Sequence, residues 1–423
     1  MNYSRTSIRL ETALSLVFCL LVAFIFLGPN PLVAFSSSDT AVDGEEGIAR
    51  RVILVALMAT ATILALRRDG LRSLSGFPLP LLALLGWAGV TLIWSDVFLV
   101  GLRRFVLAAG VTVSLFMLLR ALTLPQSIRL LYRMVFWFLV VDLIAVLLLP
   151  GAVHPPGSAD QALVGLWKGV HPHKNIAASV AFCGIALSLS GVHRSFLTNI
   201  VLFSMASVVA FKAGSKTVLI LLPFILFSCK AFVFLRARGL LSKAAAIILF
   251  LITLICLGTI LHQNIELIIP KITEPGFFTG RGQLWNASIS YSLDNPWGSG
   301  FGSFWDVGPN SPASMYIPAN QAMAPHGHNG YFDSMATMGF FGLALVLFAC
   351  LIHPLMMMST TDAHSPMFYF IILLLTFFVA GNITESNILS GGRIDWLYFL
   401  IALTGLVEQR ETARIQYKKF SVK

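Results

Sequence analysis

Stretches of about 18–20 apolar residues, the length that crosses a hydrocarbon core, recur almost from end to end of this 423-residue chain. No other feature constrains the fold as strongly. A backbone in lipid must satisfy its own hydrogen bonds, which leaves helices or closed barrels as the spanning solutions. Unbroken apolar runs, rather than alternating short segments, select helices. Only 11% of the residues are charged and 57% are hydrophobic, where a soluble chain carries about a quarter charged. The expected fold is therefore all-α and polytopic, with residues 1–423 as a single integral membrane domain. Twelve spans are predicted, near 13–29, 52–66, 77–95, 104–120, 130–149, 175–191, 196–211, 217–235, 244–262, 331–352, 367–381 and 396–407. The first run follows Arg5 and Arg9 and lacks a small-residue cleavage site, so it reads as a retained span rather than a signal peptide.

Most of the 29 Lys and Arg fall in short loops on one side, among them Arg67, Arg68, Arg72, Arg129, Arg133, Arg194 and Arg236. The positive-inside rule makes that side, with both termini, cytoplasmic. The formal charge of +10 is spread over these loops rather than gathered in a patch, so no nucleic-acid partner is expected. Cys19, Cys183, Cys229, Cys256 and Cys350 lie in or beside apolar runs with no CxxC pair, and read as small core hydrophobes. Asp142 lies within an apolar span. A buried acid there is a functional hint, although no chain of further intramembrane acids accompanies it, which favours a single hydrogen-bonded structural carboxylate.

The orientation rule leaves a second set of cations unexplained on the outer side: Arg50, Arg51, Arg103, Arg104, Lys168, Lys174, Lys212, Lys216, Lys271, Arg281 and Arg393. Each alone can be read as a side chain snorkelling to lipid phosphates. Together, converging at one depth, they suit an anion held at the membrane surface. The same side carries the longest polar segment, a loop over 263–330. Within it, Thr279-Gly280-Arg281-Gly282-Gln283 predicts a helix start capped by Thr279 and ended near Leu293 by Asp294-Asn295-Pro296. Arg281 at a helix N-terminus suits a phosphate, and Trp285, four residues on, shares its face and offers a platform for sugar. His328 stands at the mouth of the next span, and an imidazole with a pKa near 6.5 can take up and release a proton. His171 and His173 repeat the i, i+2 spacing of His326 and His328, but no HExxH, carboxylate partner or Cys ligand accompanies them, so no metal is expected; His171 and His326 read as plain surface histidines. Lys174 and Lys216 open spans at helix N-termini, where a cation is disfavoured unless an anion binds. Glu385, between the last two spans, is placed either to pair with an outer cation or to orient a catalytic histidine.

At these residues the sequence resembles the O-antigen ligase and polysaccharide polymerase superfamily, including exopolysaccharide polymerases of the succinoglycan type. The resemblance rests on His173-Lys174-Asn175, Gly214-Ser215-Lys216, Gly280-Arg281 with Trp285, Asn295-Pro296-Trp297-Gly298-Ser299-Gly300, and His328-Asn329-Gly330-Tyr331 followed by Gly339-Phe340-Phe341-Gly342. It covers about 167–390; the first half matches only in hydropathy. It implies a GT-C-like glycosyltransferase acting with inversion, without metal or cofactor, at the outer face of the bacterial inner membrane. The donor would be a glycan on lipid (undecaprenyl) pyrophosphate. His328 would be the base on the acceptor hydroxyl. Arg281, Lys174 and Lys216, with Arg104, His173, Trp285, Asn329 and Glu385 around them, would hold the substrate and its pyrophosphate. Expected partners are the lipid-linked donor, a glycan acceptor, membrane lipids and a regulator of chain length. Transfer to lipid A core, as in a ligase, differs only in acceptor. A transporter or flippase is the reading from another class, and it calls for mid-membrane polar sites and repeated halves.

Overall fold

The computed structural model describes residues 2–28, 45–156, 163–237, 281–308, 311–317, 324–359, 361 and 365–421. These residues form helices α1 (Asn2–Leu27), α2 (Glu45–Asp69), α3 (Leu79–Val90), α4 (Phe98–Leu122), α5 (Leu124–Leu148), α6 (Lys174–Ser190), α7 (Phe196–Ala213) and α8 (Lys216–Ala237). They continue with α9 (Arg281–Asp294), α10 (Gly330–Leu347), α11 (His353–Met358), α12 (Pro366–Gly381) and α13 (Ile394–Ser421). The expected all-helical polytopic architecture is what the chain adopts.

Among the described residues, 6 helices are long and apolar enough to cross a membrane. A seventh arises if α2 and α3, with the short 3₁₀ turns that extend them, count as one span bent by 105°. The sequence predicts two separate spans there. Gly76, at φ 76°, and Pro78, which caps α3, make the break between them. Helices α6 and α12 are apolar but shorter, at 17 and 16 residues. The span predicted at 244–262, the cap Thr279, and Gly280 lie outside the described residues.

The predicted short last span is in fact the inner part of α13, a 28-residue helix. From Trp396 to Val407 every residue is buried. A helix that is apolar all round belongs inside a bundle, and the neighbours of α13 confirm the position. The Trp396 indole donates to Thr112 Oγ1 of α4 at 3.0 Å, and the Tyr398 hydroxyl donates to the Ser179 carbonyl of α6 at 3.0 Å. Phe377 of α12 stacks on Phe182 of α6 with ring centroids 3.9 Å apart. Lipid tails are as apolar as these side chains, so close packing and buried hydrogen bonds, not water exclusion, hold such helices together. At the α6–α7 contact small residues permit that closeness. A Cβ on Gly184 would lie 2.9 Å from the Ala206 methyl.

The bundle has two chemically distinct ends. At one, Arg120 pairs with Glu411 at 2.6 Å, the Leu124 amide donates to Glu408, Gln126 donates to Glu11, and Arg236 donates to the carbonyls of Ser359 and Thr361. The beginning of α1 and the charged part of α13 thus share an end with Arg120 and Arg236. At the other end, the connections 163–173, 295–308, 324–329 and 382–393 meet.

One of these connections enters a span. Within α10, Gly339 leaves helical geometry (φ 70°, ψ −175°). The turn at 296–300 fills the gap: Ser299 and Gly300 amides donate to the Ala336 and Thr337 carbonyls, and the Phe340 amide donates to the Pro296 carbonyl. Backbone groups freed inside a membrane need such partners. A side chain at 339 would meet Pro296 O at 2.3 Å, which accounts for the glycine.

Candidate functional site

The site is assembled at the end of the bundle opposite Arg120 and Arg236, by three helix starts and two loops. His173 caps α6, its Nδ1 accepting from the Asn175 amide at 3.2 Å. Lys174 follows as the first residue of α6, and its ammonium donates to the Gly214 carbonyl at 3.1 Å. Gly214 closes α7 in the left-handed conformation, and Lys216, exposed, opens α8. The next residue, Thr217, bonds through its hydroxyl to that of Thr384 at 3.0 Å. Arg281 is the first residue of α9, as the sequence anticipates, and reaches the same loop, donating Nη1 to the Thr384 carbonyl. Arg281 therefore holds the Thr384–Glu385 segment directly, while Lys174 and Lys216 adjoin residues that touch it, Asn175 and Thr217.

Glu385 is the hub. Its Oε1 accepts from Arg281 Nη2 at 3.1 Å and from Asn175 Nδ2 at 3.0 Å, while Oε2 lies 3.4 Å from His328 Nδ1. It thus contacts both kinds of partner read for it in the sequence, a cation and a histidine. Burial alone would raise its pKa, but the His328 hydrogen bond and the charges of Arg281 and the histidines outweigh this and hold it at about 2. A charged carboxylate only accepts hydrogen bonds, so His328 Nδ1 is the donor to Glu385, and in the neutral ring the lone pair lies on Nε2. The His328 side chain is 30% exposed and its backbone sits at φ 52°. That region is uncommon for a non-glycine residue, and such strain clusters at functional sites.

The neighbouring histidine is different. Arg393 Nη2 donates to His326 Nε2 at 3.2 Å, and an arginine can only donate, so this ring is a neutral acceptor. Burial, followed by the neighbouring His328 and Arg393, lowers its pKa to about 3. Its ring stands edge-on to His328 at 4.1 Å between centroids. Half-buried as it is, His326 is no plain surface histidine. Burial, then His154, similarly lowers His173 to about 4.

Other expected site residues take up structural places. Asn329 caps α10, accepting from the Tyr331 and Phe332 amides at 3.1 Å and donating to the Ile383 carbonyl at 3.0 Å. It fixes the residue after His328 to the Glu385 loop. The Trp285 ring is 8% exposed and packs edge-on to Phe332 at 6.0 Å, a buried wall rather than an open platform. Arg104 donates to the carbonyls of Gly302, Trp305 and Asp306 at 2.7, 2.9 and 2.8 Å, clamping the 302–306 loop. His171, expected on the surface, is fully buried. Its Nδ1 faces the Phe26 carbonyl at 2.7 Å and its Nε2 the Asp142 carboxylate at 3.0 Å. Asp142 also accepts from the Val170 amide at 2.9 Å, the hydrogen-bonded structural role read for it in the sequence.

One important residue carries no sequence signal. Asp333, in the first turn of α10, accepts from Ser386 Oγ at 2.5 Å, Trp305 Nε1 at 2.8 Å and the Gly327 amide at 3.1 Å. It ties the turn bearing His328 to the loop bearing Glu385. An acid at N4 of a helix looks like ordinary dipole compensation, which hides this role.

Residues 200–347 match the family model described as O-antigen ligase, a match over about a third of the chain that supports the resemblance to the O-antigen ligase and polysaccharide polymerase superfamily. The matched stretch carries Lys216, Arg281, Trp285, the turn at 295–302, His328 and the broken helix α10; Lys174 and Glu385 lie outside it. In general terms the match supports a membrane enzyme of the ligase or polymerase type. A comparison with curated proteins found no match.

Proposed function

We propose that this protein is an outer-face membrane glycosyltransferase that joins lipid-pyrophosphate-linked oligosaccharide repeat units into a surface or exopolysaccharide, with inversion and without a metal. The observation that carries the reading is the His328–Glu385 pair, with Arg281 on the same carboxylate and Lys174 bonded to Gly214, two residues before Lys216. In the reaction, His328 Nε2 takes the proton of an acceptor hydroxyl as that oxygen attacks the anomeric carbon. The carbon–oxygen bond to the lipid pyrophosphate breaks, and the departing lipid pyrophosphate, which gains one negative charge, would be met by Arg281 with Lys174 and Lys216. Pyrophosphate leaves readily, so positioning and charge neutralisation supply most of the catalysis. A positioned base contributes about 10²–10⁴-fold.

The twelve-span GT-C-like arrangement, with both termini cytoplasmic in a bacterial inner membrane and residues 263–330 as an outward loop, belongs to the same proposal. It is supported by the segregation of Arg120, Arg236 and both ends of the chain away from the site. The family description favours a second acceptor, lipid A core, for the same donor chemistry.

The test is turnover by purified full-length protein given a synthetic lipid-pyrophosphate oligosaccharide with EDTA present, and either a second repeat unit or lipid A core as acceptor. We expect a product ladder from wild type and at least 100-fold less from His328→Ala at equal membrane yield. Wild-type turnover by His328→Ala removes the base assignment. Donor left unconsumed by wild type with both acceptors removes the enzyme reading and favours transport.

A further inference from the structure

Behind the turn that carries His328 lies a cavity of about 530 Å³, within the usual 300–1,000 Å³ of small-molecule sites. It does not include Arg281, Lys174 or Lys216. Its walls come from α2, α4, α10 and the loop after Glu385, and among its lining residues are Arg50, Arg51, Arg104, Asp333, Ser386 and Gly391. Pro325 and Gly330 also line it, one on each side of His328 in the chain. The cavity and the cation cluster thus flank one catalytic turn.

The charges in this cavity differ in how they are occupied. Asp333 is saturated by Ser386, Trp305 and Gly327. Arg104 uses its donors on the carbonyls of 302, 305 and 306. Arg50 is held by its flat face, with Cζ 4.5 Å from the Phe24 ring centroid. Its Nη1 is buried and has no hydrogen-bond partner among the described residues. Arg51, next to it, is exposed. A guanidinium gripped by its face presents its N–H edge, the edge that binds phosphate or carboxylate in a fork. A buried charged donor without an acceptor is costly, and an anion entering the cavity would offset that cost. Lipid snorkelling explains Arg51 alone but not a sequestered Arg50.

We infer that the Arg50–Arg51 cavity is a second anion site, which receives the anionic group of the acceptor glycan while the first cluster holds the donor pyrophosphate. This rests on the glycosyltransferase reading and narrows it: the acceptor is itself an anionic glycan. The anion is either a second lipid pyrophosphate or an acidic group on the sugar, and both present oxygens to the same guanidinium edge.

Full-length His328→Ala protein, which binds without turnover, is titrated calorimetrically with a short-chain polyprenyl-pyrophosphate disaccharide. Two binding events are expected. Arg50→Gln with Arg51→Gln weakens one by tenfold or more, and Arg281→Gln weakens the other. Arg50→Lys, which keeps the charge but loses the fork and the stacked face, should bind more weakly than the parent and more tightly than the Arg50→Gln, Arg51→Gln variant, with thermal melts verifying the fold of each variant. Competition at the Arg50–Arg51 site by polyprenyl pyrophosphate without sugar assigns the anion to the lipid carrier. Competition only by a carboxylated methyl glycoside assigns it to the sugar. Competition by neither, or unchanged binding in the Arg50→Gln, Arg51→Gln variant, overturns the inference. If Arg281→Gln still abolishes binding in that case, the proposed function stands. Absence of any binding overturns both.

Discussion

The molecule contains two carboxylate–histidine pairs at the same end of the bundle, and they have opposite uses. Asp142 and His171 face each other at 3.0 Å with side chains 2% and 0% exposed. Both imidazole nitrogens are engaged, one by Asp142 and one by the Phe26 carbonyl. Burial opposes charge on this ring, yet Asp142 and the carbonyl outweigh it and raise its pKa. The pair is a closed clip joining α1, α5 and the segment before α6. Glu385 and His328 lie farther apart, at 3.4 Å, and are partly exposed. Only one imidazole nitrogen is engaged. A carboxylate–histidine pair becomes a base when its second nitrogen is left for substrate; when that nitrogen is also satisfied internally, the same two residue types only hold helices together.

Substitutions should separate these uses. The largest effect on folding is expected from Asp142→Ala, which leaves a buried imidazole and the Val170 amide without their partner. Breaking one side of a buried pair costs about 3–5 kcal/mol, so membrane yield and melting temperature should collapse while turnover per folded molecule stays near wild type. Equal stability in the two proteins would show that the clip is dispensable. Glu385→Gln should do the reverse. Its amide can donate to His328 Nδ1, which moves the ring proton to Nε2 and removes the acceptor lone pair. By analogy with the serine-protease aspartate, a loss of about 10²–10⁴-fold in turnover is expected at little cost in stability, and unimpaired turnover would leave Glu385 a mere partner of Arg281.

The smallest effect concerns pH. His326 has a folded pKa near 3, against about 6.5 when unfolded. Between these values the unfolded chain binds the proton and the folded chain does not, so His326 makes stability fall as pH drops from about 6.5 towards 3. Glu385, held near 2, works in the same direction only below its unfolded value of about 4.3. Melting curves between pH 6.5 and 5 lie above the range where Glu385 acts, and His326→Gln, read as a difference from wild type so that other titrating groups cancel, should flatten that decline. An unchanged slope would assign it to His173, whose folded pKa is near 4.

Much of this was legible in the sequence because it is local. Helix starts at Lys174, Lys216 and Arg281 follow from caps, glycines and apolar onsets, and the ordered motifs carry a resemblance that the family match over 200–347 supports. Pairings across the fold were not legible. Glu385 is 57 residues from His328 and 104 from Arg281, and no spacing rule connects such positions. Asp333 looks like routine helix-start chemistry, and Arg393 like any outer cation, until the loops fold over them. At α2–α3 hydropathy registers length and apolarity but not the bend at Gly76 and Pro78 that joins the two runs. It also gave no hint that the short last span is the most enclosed helix of the bundle.

The interruption at Gly339 has a mechanical consequence. His328 sits two residues before α10, so a continuous rod would carry any tilt or mismatch imposed by the bilayer straight to the base. The first turns of α10 are instead bolted to the 296–300 turn by two backbone hydrogen bonds, and Phe340, just past the break, by a third. The remaining helix, up to Met358, can follow changes in membrane thickness by pivoting below that anchorage. On the proposed function, the break sets the apolar shaft apart from the turn bearing His328, so that the reacting nitrogen takes its position from the loops more than from the membrane.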